Sequence, residues 1–106
     1  MGLINSKGIK MADFEAKIPV LLFEEGKKVI AYSPALDLSS CGDSEEQARQ
    51  RFAEAAMIFL DEITEMGTLD EVLEEYGWQK IPTKRRWAPP VYKGSIEEAV
   101  RIPVRS

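Results

Sequence analysis

Four carboxylates crowd one short stretch of the chain, Asp37, Asp43, Glu45 and Glu46, and clustered carboxylates can hold Mg²⁺ for phosphodiester cleavage. A structural role outweighs that chemistry. Glu45 and Glu46 fall where a helix start favours negative charge, and Asp43 suits a capping turn, which leaves Asp37 as the one carboxylate expected in mid-strand. A second cluster sets Lys80, Lys84, Arg85 and Arg86 among Trp78, Trp87 and Tyr92, cations and stacking surfaces of the kind that hold the phosphates and bases of RNA. Its plainer reading pairs the cations with acidic helices and uses the tryptophans to finish a core or a subunit contact. The single thiol, Cys41, has no cation close in sequence to lower its pKa and reads as a small strand residue.

Histidine is absent, which removes the commonest general base, the Ser-His and Cys-His nucleophile pairs and nearly all zinc sites. No cofactor or metal is expected. One cysteine makes no disulfide within the chain, so nothing calls for an oxidising compartment, and the cytoplasm is the default. No apolar run reaches the length of a signal peptide's core or of a membrane span. Met1 to Ser6 fits the short N-myristoylation pattern, but its two fixed positions arise easily by chance, and a polar leader is the plainer reading.

With 106 residues, 44% of them hydrophobic and 30% charged, the chain has the size and composition of one folded unit. We expect a flexible leader over residues 1–16 and a single domain over 17–106. The net charge of -4 is unevenly spread: residues 1–42 are neutral, residues 43–78 carry -9 and residues 79–106 carry +5. Such blocks imply an acidic element that either folds onto the basic tail or meets a basic partner.

Alternation and turn chemistry predict the elements that position these groups. Ile18 to Phe23 and Val29 to Ser33 are β-rich runs around Glu24-Glu25-Gly26-Lys27, a hairpin in which Gly26 supplies positive φ. Leu36 to Cys41 offers a third strand, with Leu36, Leu38 and Ser40 on one face. Ser44 and Gln47 form a capping box that opens a long helix, whose stripe is Ala48, Phe52, Ala55, Ala56, Phe59, Leu60, Ile63 and Met66. Gly67 closes it. Thr68 and Glu71 make a second capping box for a shorter helix with Leu69, Val72, Leu73 and Tyr76, ended by Gly77. Pro82, Pro89 and Pro90 interrupt regular structure until Val100, Ile102 and Val104 alternate with Arg101, Pro103 and Arg105, the pattern of an edge strand. The fold class is therefore α+β: a three- to four-stranded antiparallel sheet with a long helix on one face and a short second helix. The first strand is apolar on both faces, which one helical layer cannot cover, so self-association is expected.

Two stretches carry a family resemblance: Ile30-Ala31-Tyr32-Ser33-Pro34-Ala35-Leu36-Asp37-Leu38, and Cys41-Gly42-Asp43-Ser44-Glu45-Glu46-Gln47-Ala48. Over residues 17 to 78 the chain resembles the HicB-like antitoxins. The resemblance implies a partial ribonuclease H-like fold, usually without an intact metal site, and a non-catalytic module that in bacterial operons neutralises HicA-type toxins, small basic ribonucleases that cleave messenger RNA. Many full-length members add a DNA-binding domain, and the residues after Trp78 hold no helix pair of that kind, so DNA binding is not expected.

Together these readings give a HicB-like antitoxin or orphan relative, a homo-oligomer (dimer or tetramer) with no membrane contact. Its partner or oligomer interface is expected at Val20, Leu22, Tyr32, Leu36, Leu38, Trp78 and Trp87. RNA contact through Lys84, Arg85 and Arg86, and a metal-dependent nuclease remnant, are the competing alternatives.

Overall fold

A tight hairpin starts the sheet. In the computed structural model, which describes residues 3–4, 10–11, 16–84 and 86–105, Leu21–Glu25 (β3) pairs antiparallel with Lys28–Ser33 (β4), with Glu25 opposite Lys28. Gly26, at φ 62°, takes the first position of the two-residue turn that joins them, where any side chain would be strained. Leu38–Gly42 (β5) pairs antiparallel with the other edge of β4, with Ser33 opposite Leu38 and Val29 opposite Gly42. The order is thus β3-β4-β5, with β4 central. Most of the expected leader lies outside the described residues; within it Leu3–Ile4 (β1) and Lys10–Met11 (β2) pair antiparallel.

The third strand begins two residues later than its alternation predicts. Pro34 to Asp37 form a turn, so Asp37 is not in mid-strand; it takes a φ of 48°, a conformation Asp tolerates better than most side chains. Leu36 and Ala35 are tucked into the core from that turn, 2% and 0% exposed.

Glu45–Glu65 (α1) follows β5 almost without a linker. A Cβ on Gly42 would come within 2.7 Å of the Ala48 amide nitrogen, so only glycine lets strand and helix approach this closely. Ser44 is extended, and its hydroxyl accepts from the Gln47 amide at 3.1 Å, while the Gln47 side chain accepts from the Asp43 amide at 2.7 Å. The helix lies over β5 and β4 and buries Ala48, Phe52, Ala56 and Ile63. Met66, the last member of the expected stripe, is 72% exposed, because the chain turns away there.

Both helices end alike. The Thr68 amide donates to the Ile63 carbonyl and the Gly67 amide to the Thr64 carbonyl; after Leu69–Glu75 (α2), the Trp78 amide donates to Leu73 and the Gly77 amide to Glu74. These are paired Schellman closures, with Gly67 and Gly77 in the left-handed position. The second closure delivers Trp78 into the core, where its indole N–H donates to the Ala35 carbonyl at 2.7 Å.

Two expectations for the C-terminal third are corrected. Gln79–Ile81 (β6) and Arg86–Ala88 (β7) form a small antiparallel sheet across a 3-10 turn at Pro82–Lys84, where the prolines predict no regular structure. Val100 to Val104, the expected edge strand, joins no ladder, and residues 91–105 are exposed throughout. A strand needs a neighbour for its backbone donors and acceptors, and among the described residues no strand pairs with this segment.

Candidate functional site

Ladder registers divide the sheet into two unlike faces. Ala31 and Ser33, both fully buried, point to α1, and with them on that side stand Leu22, Leu38 and Ser40. The opposite side carries Leu21, Phe23, Ile30, Tyr32, Ser39 and Cys41. No element with described contacts covers it, and Phe23 is 52% exposed. On this open face the Tyr32 hydroxyl donates to the Asp37 carboxylate at 3.0 Å. That hydrogen bond, with burial and the carboxylate's charge adding to it, holds the Tyr32 pKa above its ordinary value. The pair fastens the turn before β5 to the central strand.

The carboxylates singled out as metal ligands are dispersed into separate structural roles. Asp37 receives Tyr32; Asp43 is paired with Lys28, whose hydrogen bond and charge hold its carboxyl below the usual carboxylate range; Glu45 and Glu46 lie in the first turn of α1. Among the described residues no three His, Cys, Asp or Glu side chains converge to hold a metal ion.

Part of the basic aromatic cluster is likewise taken up internally, while Tyr92 is 47% exposed. Trp78 and Trp87 are 7% and 6% exposed and belong to the same core as Leu36, so these three residues, expected at an interface, face the interior of their own chain. Lys80 bonds Asp70 at 3.0 Å and lies over the Trp87 ring, 5.6 Å from its centroid, pairing with one carboxylate of α2. Arg86 is exposed; Arg85 and the Lys84 side chain lie outside the described residues. Of the other expected interface positions, Leu22 is 41% exposed and Val20, Tyr32 and Leu38 are half-buried.

The surface also presents acidic helices and an apolar groove. Glu54, Asp61, Glu62 and Glu65 on α1, and Asp70, Glu71, Glu74 and Glu75 on α2, are exposed, and neither helix has a basic residue in its last turn. Beside them an open groove of about 460 Å³ runs between the outer edge of the sheet and α1, lined by Ile18, Val20, Leu22, Arg49, Phe52 and Ala53. Alternation predicts the apolar faces; the groove arises because α1 sits over β4 and β5 and leaves the β3 side partly bare, an offset no local pattern encodes.

No helix among the described residues is long and apolar enough to cross a membrane. No protein-family model matches the chain, no curated protein matches it, and no solved structure matches it.

Proposed function

We propose that the chain is a HicB-like antitoxin or an orphan relative, a non-catalytic cytoplasmic module that neutralises a HicA-type messenger-RNA-cleaving toxin by covering its basic active surface. One observation carries this reading beyond the resemblance of residues 17–78: exposed carboxylates occupy the last turns of both helices, Glu62 and Glu65 on α1 and Glu74 and Glu75 on α2. Negative charge opposes the helix dipole there and costs the free chain roughly 0.3–1 kcal/mol per favourable site forgone. Charge placed against a protein's own stability is accounted for by a cationic partner, which it steers and neutralises. Covering a nuclease requires shape and charge but no reacting group, in keeping with carboxylates committed to Lys28 and Tyr32. The RNA alternative is the weaker one, since two of the three aromatics that would stack on bases, Trp78 and Trp87, are buried and Tyr92 alone is exposed.

Co-expression with the product of the neighbouring open reading frame tests it. A stable, salt-sensitive complex in which the partner's ribonuclease activity is silenced is the expected result. The variant Glu62→Lys, Glu65→Lys, Glu74→Lys, Glu75→Lys should lose the partner while melting at a higher temperature than the parent. A neighbour that is no ribonuclease removes the cognate-toxin form and favours the orphan relative; a charge-reversed variant that binds as well as the parent sinks the reading.

A further inference from the structure

Two edges of the sheet are formally open, and they are not alike. Along β5 the edge is dressed by the helix: Arg51 donates to the Cys41 carbonyl at 3.0 Å, Ser40 donates to the Ala48 carbonyl at 2.9 Å, and Gly42 abuts the Ala48 amide. The outer edge of β3 has no such cover among the described residues. Because the closing pair of a two-residue hairpin exchanges both hydrogen bonds, Glu25, Phe23 and Leu21 spend their backbone groups on β4, and those of Leu22 and Glu24 point outward. The side chain of Leu22 overhangs the groove lined by Ile18, Val20, Phe52 and Ala53.

The chain also contains a strand-like sequence pattern that joins no ladder. Val100, Ile102 and Val104 are 75%, 74% and 84% exposed, and their alternation with Arg101, Pro103 and Arg105 is that of a half-buried strand. We propose that Val100–Arg105 of one copy adds as a strand to the outer edge of β3 in a second copy, reciprocally, seating Val100, Ile102 and Val104 in that groove.

Three constraints agree on this fit. Residues whose backbone faces β3 must be those whose side chains share the face of Leu22, because directly opposed residues point to the same side; these are Val100, Ile102 and Val104. Pro103, which has no N–H, then turns its backbone to solvent, the position in which proline is tolerated on an edge strand. Arg101 and Arg105 fall on the other face, the face that carries Glu25, giving opposite charges on adjacent strands. The tail is assigned to another molecule because residues 91–105 are exposed throughout in their own chain. Reciprocal exchange closes as a two-fold dimer and removes both exposed edges. The inference is independent of the antitoxin reading, since it requires only this chain.

Analytical ultracentrifugation of the full chain alone should give a dimer. Ile102→Asp with Val104→Asp, substitutions at side chains 74% and 84% exposed in the free chain, should give a monomer with an unchanged circular dichroism spectrum. Leu22→Asp should do the same from the groove side, and mixing the tail variant with the Leu22 variant should restore a heterodimer held by one exchanged tail. Cysteines placed by Val20→Cys and Ile102→Cys, on separate chains that both carry Cys41→Ser, should then cross-link between chains. A monomeric parent, a dimer indifferent to the tail substitutions, or Val20→Cys and Ile102→Cys chains that form no cross-link with one another would each overturn the proposal.

Discussion

Val29–Ser33 and Val100–Arg105 are both short runs of strand-forming residues, continuous through Val29-Ile30-Ala31 in the first and alternating with Arg101, Pro103 and Arg105 in the second, yet one belongs to the central strand of the sheet and the other pairs with no strand among the described residues. Val29–Ser33 lies between β3 and β5, so both its backbone edges are bonded and Ala31 and Ser33 are fully buried. Val100–Arg105 stands off the body with its apolar side chains in solvent. A period of two states which face would be buried; a neighbouring strand and an opposing layer are needed before anything is. Stability in the free chain should therefore sit almost wholly in the first region.

The largest expected difference lies in the core beneath β4. Phe52→Ala, at a position 5% exposed, should lower unfolding stability by about 3–5 kcal/mol through lost transfer energy and a cavity. Replacing Val100 and Val104 together by Ala in a chain kept monomeric by Leu22→Asp should change it by no more than about 0.5 kcal/mol. Urea denaturation of both reads the contrast, and a comparable loss from the tail would mean that it packs on its own body.

A smaller contrast separates the two helix starts. Ser44 and Thr68 introduce the same capping pattern, but only Ser44 caps: its hydroxyl accepts from Gln47, whereas Thr68 makes no side-chain cap bond and its hydroxyl donates to the Ile63 carbonyl. The cause is adjacency. Thr68 already serves the Schellman closure of α1 through its amide, and that geometry, φ -109° and ψ 9°, is not the extended one an N-cap needs. Ser44→Ala should cost about 1 kcal/mol and Thr68→Ala only a few tenths, measured by thermal melts; equal losses would show that the second box forms in solution.

The smallest effect is electrostatic. Lys28 holds the Asp43 carboxyl below the ordinary carboxylate range, so the stabilisation from this pair is complete above the unfolded pKa of about 3.9 and is lost as pH falls through the lower folded value. Both side chains are well exposed, 56% and 72%, and salt should screen the pair. In an NMR titration Lys28→Gln should return Asp43 to the ordinary range; an unmoved Asp43 would remove Lys28 as the cause.

The main body was legible where one local rule sufficed. Gly26 marks the hairpin, Gly42-Asp43-Ser44 the sheet-to-helix junction, the spacing from Ala48 to Ile63 the buried face of α1, and Gly67 and Gly77 the helix ends. Positions governed by distant contacts were not. The hairpin of β6 and β7 has two three-residue strands around Pro82 and follows Trp78, whose indole is anchored to the Ala35 carbonyl 43 residues away. Asp37 left the strand because its turn conformation is tied to Tyr32.

By itself the sequence determined the number and order of the principal elements of the body and the sides they present to one another, because periodicity, capping and glycine act within a few residues. Tertiary structure decided which aromatic and charged groups stay exposed, burying both tryptophans, engaging Lys80 and setting α1 off-centre over the sheet. Those outcomes depend on how layers stack in space, and so does the contrast between a strand pattern that finds neighbours on both sides and one left waiting for an edge.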